Sequence, residues 1–158
     1  MRIDIGIGHL DVSNSPGDEL KTYALGSCVA VVLWDKVHKV GGMVHVALPE
    51  SSINTEKASV QPGYFADTGI NELLKRFRAK GGDPRSTVIK IAGGSSLMDE
   101  KRTFDIGRRN TIAVKRYLWK YGMGVVNEDT GGRISRTVSL LIDDGQVLLS
   151  NASKKWEL

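Results

Sequence analysis

One cysteine, Cys28, and three histidines are the only thiol and imidazole groups in this 158-residue chain. A single thiol excludes an internal disulfide framework and points to a reducing cytoplasm. His9, His38 and His45 have no metal-ligand spacing, and one cysteine does not complete a usual zinc set. Neither a metal site nor a cofactor is therefore expected. The chain has no apolar run of ~18 residues, and Met1-Arg-Ile-Asp-Ile5 lacks a signal peptide's apolar core, so no membrane insertion is expected. The few aromatics, 6% of residues, do not interleave with the basic ones, and no nucleic-acid motif is present, so no nucleic acid is expected.

What remains is ordinary globular material. With 41% hydrophobic and 25% charged residues, residues 1–158 read as one domain able to bury its core without staples. The net charge of +4 is uneven. Residues 1–80 balance at 9 basic and 9 acidic, whereas residues 81–158 carry 13 and 9. Arg102, Arg108, Arg109, Lys115, Arg116 and Lys120 supply much of the excess, and they read as a solvated helix face or as attraction for an acidic partner.

Periodicity gives the elements. Residues 2–8 alternate as a half-buried strand, residues 13–18 are a loop, and residues 20–25 are a second strand. Two β-rich apolar runs follow, 27–34 and 40–48, split by the polar segment Asp35–Lys39. Residues 49–63 are polar and aperiodic and leave directly from the second run, so they read as a solvated connector or a substrate cover. Phe65, Ile70, Leu73, Leu74 and Phe77 fall at helical spacing within 64–80, before a Gly81-Gly82 stop. Residues 87–92 are a strand running into Gly93-Gly94-Ser95-Ser96. That glycine run lacks the Lys-Ser or Lys-Thr of a phosphate-binding loop and reads as a tight strand exit. A second amphipathic helix spans 106–121 with Ala113, Val114, Tyr117, Leu118 and Tyr121 on its apolar side. Residues 123–128 are a strand, and 136–143 with 147–150 form a hairpin around Asp144-Gly145. Strands outnumber helices, and the two hairpins are antiparallel by construction. The fold class is α+β, with two sheets or one strongly curved sheet and both long helices on one side.

The first hairpin carries the chemistry. With the turn centred between Lys36 and Val37, Trp34 faces Lys39 and Cys28 lies directly opposite His45. Opposed residues share a face with Cβ atoms about 5 Å apart. A slip of one residue would put the two on opposite faces, and a slip of two would leave them diagonal on one face. Taken alone, a cysteine in an apolar strand reads as core and so does a lone histidine; the pair carries the information. An adjacent imidazole is expected to lower the thiol's pKa and make it a nucleophile. Gly26-Ser27 just upstream turns the chain so that the thiol stands at a strand mouth near free backbone N–H groups, which makes Gly26 and Ser27 candidate oxyanion supports. For the third member that orients the imidazole, Thr22 on the preceding strand is better placed than Asp35 at the hairpin's far end.

These residues match a known pattern. Thr22, Cys28 and His45, within Thr22-Tyr-Ala-Leu-Gly-Ser-Cys-Val-Ala-Val31 and Gly42-Met-Val-His-Val-Ala-Leu-Pro49, resemble the chemoreceptor glutamine deamidase family, CheD. Lys90-Ile-Ala-Gly-Gly-Ser95, Ile106-Gly-Arg-Arg-Asn110 and Asp129-Thr-Gly-Gly132 followed by Ser135-Arg136 arrive in the family's order. One departure is Ala24, where the family run reads Gly-Leu-Gly-Ser-Cys. The resemblance implies that Cys28 is the nucleophile, His45 the base and Thr22 the orienting residue. It also implies a three-layer sandwich of packed, largely antiparallel sheets, shared with deamidating bacterial toxins. The implied reaction converts glutamine to glutamate on methyl-accepting chemotaxis receptors through a thioester, with a CheC-type phosphatase as regulator. Three rivals stand beside it: a chemotaxis adaptor that binds receptor and phosphatase without catalysis, a redox sensor built on Cys28, and acyl transfer to an amine, which uses the same residues.

Overall fold

A computed structural model of the chain describes residues 1–96 and 105–158, so Arg102 of the basic set lies outside the described residues. The two apolar runs become strands β4 (Val29–Asp35) and β5 (Val40–Val46), in which every residue is buried. Strands covered on both faces belong inside a sheet. They do so here, in a five-stranded sheet with β2 (Leu10–Ser13), β6 (Thr87–Gly93) and β7 (Val125–Thr130), ordered β2-β5-β4-β6-β7. A second sheet of five combines β1 (Arg2–Asp4), β3 (Glu19–Leu25), β8 (Arg136–Leu141), β9 (Val147–Ser150) and β10 (Lys155–Glu157), ordered β1-β3-β8-β9-β10. All pairings are antiparallel except β1 with β3 and β6 with β7.

The period of two along β4 and β5 divides the core. Ala30, Val32, Trp34 and Met43 point toward the second sheet and pack with Leu20, Leu25, Val138 and Leu140. The alternate residues Val29, Val31, Leu33, Val44 and Val46 point the other way. They meet Ile70, Leu73 and Phe77 of one helix (Ala66–Ala79) and Ala113, Val114 and Leu118 of another (Ile106–Lys120). Each valine, leucine, isoleucine or phenylalanine among them contributes about 1.5–3 kcal/mol on leaving water. The layers are therefore sheet, sheet, helices. The α+β expectation stands in its two-sheet form, with both long helices on one side.

Three expectations need correction. The strand expected over 2–8 stops at Asp4, because Gly8 turns with φ 76° and Ile7 is exposed. The chain crosses there from the second sheet to the first, where β2 begins. Residues 49–63 are not a free connector. They hold a short helix, α1 (Thr55–Val60), capped by Asn54 and flanked by 3-10 turns at Ser51–Ile53 and Pro62–Tyr64. Only Ala58 of α1 is buried, so no apolar period announced it. Gln61 Nε2 donates to the Ile7 carbonyl and Ser51 donates to Asp67, which pins the segment at both ends. Finally, β10 has three residues and no buried one, which left no signal in the sequence.

The long helices, numbered here α2 (Ala66–Ala79) and α3 (Ile106–Lys120), follow their predicted ranges closely. Tyr121 was expected on the apolar side but is 41% exposed just past the helix end. The basic residues Arg108, Arg109, Lys115, Arg116 and Lys120 all face solvent. Lys115 pairs with Glu128 and Arg116 with Glu50. No helix among the described residues is long and apolar enough to cross a membrane.

Candidate active site

The β4–β5 hairpin is slipped by two residues from the simplest register. Trp34 opposes Gly41 and Ala30 opposes His45. The cause lies in the turn. Buried Asp35 accepts from the backbone N–H groups of Val37 and His38 through Oδ1 and contacts His38 Nδ1 through Oδ2. Lys39 closes the loop in the left-handed region, φ 56°. The loop thus takes Lys36–Lys39, and Asp35 opposes Val40. Cys28, one residue before β4, is then diagonal to His45 instead of directly opposite. It still packs on the inter-sheet side, against the cluster that holds Ala30 and Met43.

His45 is 2% exposed and Thr22 is fully buried. They come from different sheets and meet across the interface, with Thr22 Oγ1 2.6 Å from His45 Nδ1. The same hydroxyl lies 2.6 Å from the Ile5 carbonyl oxygen and donates to it. A hydroxyl has one proton, and a carbonyl only accepts. The Thr22 proton therefore goes to Ile5, and His45 Nδ1 must donate to Oγ1. That fixes the neutral ring as the Nδ1–H tautomer and leaves the lone pair on Nε2. Nε2 is buried and has no hydrogen-bond partner, Cys28 included. The structure thus joins Thr22 to His45 and places Cys28 on the same side of the sheet without a thiol–imidazole hydrogen bond.

Burial governs both ionisations. It pushes the Cys28 thiol up and the His45 imidazole down to about 4. The lowered thiol pKa expected from the sequence is not found. In the resting site both groups are neutral.

The turn before Cys28 is held by its carbonyls. The Gly26 oxygen accepts from Ser95 N, the Cys28 oxygen from Gly94 N, and the Ser27 oxygen from Asn110 Nδ2. Backbone N–H groups of Gly26, Ser27 and Cys28 enter no hydrogen bond among the described residues. The Gly93-Gly94 run is the tight strand exit that the sequence suggested. A Cβ on Gly93, φ 115°, would stand 2.2 Å from the Cys28 oxygen, so only glycine lets the two backbones touch. Arg136, 4% exposed, braces the far side by donating to the Gly93 and Gly131 carbonyls and to Ser95 Oγ.

Two contributors escaped the sequence reading. The Ile5 carbonyl is a backbone group and carries no residue signal. Asn110 did leave one: it shares the apolar stripe of α3 with Ala113, Val114 and Tyr117, where a polar residue is out of place. Among the described residues, no group of three or more His, Cys, Asp or Glu side chains is placed to hold a metal ion.

Comparison with known proteins gives concordant results. Residues 47–151 match the family described as CheD chemotactic sensory transduction, a span that begins just after His45. Full-length relatives cover the part before it. A protein of Syntrophotalea carbinolica named "Probable chemoreceptor glutamine deamidase CheD" is 50% identical over 160 residues, 98% of this chain and 97% of that protein. "Chemoreceptor glutamine deamidase CheD" of Thermotoga maritima is 42% identical over 149 residues, 94% of this chain and 91% of that protein. A similarly named protein of Anaeromyxobacter dehalogenans is 45% identical over 152 residues, 96% of each chain.

Proposed function

This chain belongs to the CheD family, and on that premise we propose that it deamidates glutamine side chains of chemoreceptors, with Cys28 as nucleophile, His45 as base and Thr22 as the orienting residue. The observation that carries the catalytic assignment is the His45 ring. Its Nδ1–H is spent on Thr22, and its bare Nε2 lies on the inter-sheet side that Cys28 also faces.

With thiol and imidazole both neutral at rest, proton transfer accompanies attack. Nε2 takes the Cys28 proton as the sulfur adds to the δ-carboxamide carbon of a substrate glutamine. Thr22 Oγ1, accepting from Nδ1–H, stabilises the imidazolium that forms. The tetrahedral oxyanion is received by the N–H groups at Gly26, Ser27 and Cys28, which have no partner among the described residues; losing one such donor typically costs about 3–4 kcal/mol of transition-state stabilisation. The C–N bond breaks, and His45 returns its proton to the departing ammonia. A water then gives a proton to Nε2 and adds to the thioester. The C–S bond breaks, the sulfur regains its proton, and the product is glutamate.

One domain spanning 1–158 carries the activity in this reading. Its layer order of two sheets and a helical layer is the arrangement implied for deamidating bacterial toxins. A cytoplasmic location and a CheC-type phosphatase as regulator belong to the same reading. Incubating the purified protein with a chemoreceptor cytoplasmic fragment tests it, with released ammonia as the readout. Stoichiometric ammonia is expected; binding without ammonia would favour the adaptor.

A further inference from the structure

We infer that Asn110 is a positioning residue that sets the spacing between the Cys28 turn and the His45 strand. The inference rests on the catalytic reading above and assigns a residue that reading does not use.

Asn110 is fully buried on the face of α3 that meets the first sheet. Its Nδ2 donates to the Ser27 carbonyl at 2.9 Å and to the Ala47 carbonyl at 3.0 Å. Ser27 precedes the proposed nucleophile, and Ala47 lies two residues past the proposed base. One amide group therefore spans the two chain segments whose separation decides whether sulfur and ring can meet.

The span falls where the backbone ladder gives out. Pairing of β4 with β5 ends at Val29 and Val46, so Cys28 would be the next residue opposite Ala47. Backbone groups alternate along the ladder, so after Val29 and Val46 the next rung would join Ser27 to Leu48. Leu48 N–H goes instead to the Tyr64 carbonyl, and the Leu48 carbonyl accepts from Ala66 N–H. Asn110, donating to the Ser27 and Ala47 carbonyls, ties the two segments where that rung is lost. The helix that carries it is firmly seated: a Cβ on Gly107 would stand 2.4 Å from the Ser95 oxygen and 2.5 Å from the Gly94 oxygen. The first turn of α3 rests directly on the loop that also holds the Gly26 and Cys28 carbonyls.

Two carbonyl acceptors also fix which way the amide points, because a flipped side chain would set oxygen against oxygen. Oδ1 is then left buried and without a partner. An orphaned acceptor offsets much of what the two donated hydrogen bonds return. What it supplies is a fixed distance. His45 Nε2 and Asn110 Oδ1 are the buried side-chain polar atoms left unpartnered among the described residues, and both belong to residues flanking this end of the hairpin.

Steady-state ammonia release from a purified chemoreceptor cytoplasmic fragment separates positioning from mere packing. Wild type, Cys28→Ala, Asn110→Ala, Asn110→Asp and Val114→Ala are compared well below their melting temperatures. Val114 is a buried residue of the same helix that packs in the helix–sheet core, so its truncation controls for lost stability. A misplacement of about 1 Å costs on the order of 100-fold in rate. The expected result is a kcat lowered about 10- to 100-fold in Asn110→Ala with KM within twofold of wild type. Asn110→Asp, equal in size but unable to donate to both carbonyls at once, is expected to match it, and Val114→Ala to keep full kcat. If Asn110→Ala does not fold, Asn110→Asp and Asn110→Ser carry the same split. Cys28→Ala inactive with the Asn110 variants at wild-type kcat overturns the inference alone. Activity persisting in Cys28→Ala overturns the catalytic reading and the inference with it.

Discussion

Thr22 Oγ1 and His45 Nδ1, from strands in different sheets, stand 2.6 Å apart, and the Ile5 carbonyl decides which of them donates. Because the hydroxyl proton is spent on Ile5, the ring donates through Nδ1 and keeps Nε2 as its base. Thr22→Val preserves shape but leaves the Nδ1–H and the Ile5 carbonyl both unpaired, at about 1–3 kcal/mol for each buried group. Thr22→Val is expected to melt lower and to lose about 10- to 100-fold in kcat, a smaller loss than for Cys28→Ala or His45→Ala. Thr22→Ser should keep most of both. Thermal melting and ammonia release under one buffer condition check this.

The depressed His45 pKa makes stability pH-dependent with a definite sign. The unfolded imidazole titrates near its ordinary 6.5, the folded one at about 4. Between those values the unfolded state binds the proton, so the contribution is complete above pH 6.5 and is lost as pH falls through 4. By pH 4.5 the loss amounts to about 2–3 kcal/mol. Carboxylates such as Asp18 and Asp83, which are also held low, titrate at lower pH. Urea unfolding of wild type and His45→Gln at pH 7.5 and 4.5 isolates the histidine. The wild-type loss should exceed the variant's by that amount.

Burial of Cys28 keeps the resting sulfur protonated. Alkylation by iodoacetamide at pH 7.5 should be slower than that of a free cysteine, and its rate should still be climbing above pH 9. A plateau reached by neutral pH would mean a preformed thiolate and a different resting state.

Ala24 stands where the resemblance to the family leads one to expect glycine, and its backbone lies in the left-handed region at φ 51°. The strand bulges there: Thr22 pairs with Val138 and Leu25 with Arg136, one residue out of step. A side chain in that conformation costs about 1–2 kcal/mol, against the ~0.5–1 kcal/mol that glycine's flexibility costs. Ala24→Gly should therefore stabilise the protein by about 0.5–1 kcal/mol, raise Tm by about 2–3 °C and leave kcat unchanged.

The sequence carried the central hairpin and the helical side because β4 and β5 are continuous apolar runs and α2 and α3 have strong apolar periods, while it left one curved sheet or two open. It missed α1 and β10, which bury almost nothing, and the short β2, whose Ser13 reads as the start of a loop, and it overran β1, whose alternation of isoleucines continues past the glycine turn. Cys28, His45 and Thr22 were legible as a set through their pattern. Their geometry was not, since the hairpin register depends on a buried aspartate organising a turn that has no Asn-Gly or Asp-Gly. Which ring nitrogen is the base depended on the Ile5 carbonyl, a group that every residue possesses. Asn110 announced itself only as a polar residue on an apolar stripe.

Peptide mapping by mass spectrometry tests the central claim most directly, applied to a chemoreceptor fragment after incubation with wild type, Cys28→Ala or His45→Gln. Wild type is expected to convert specific glutamines to glutamate, and both variants, folded and soluble, to leave them as amides. Conversion by Cys28→Ala at the wild-type rate would contradict the account.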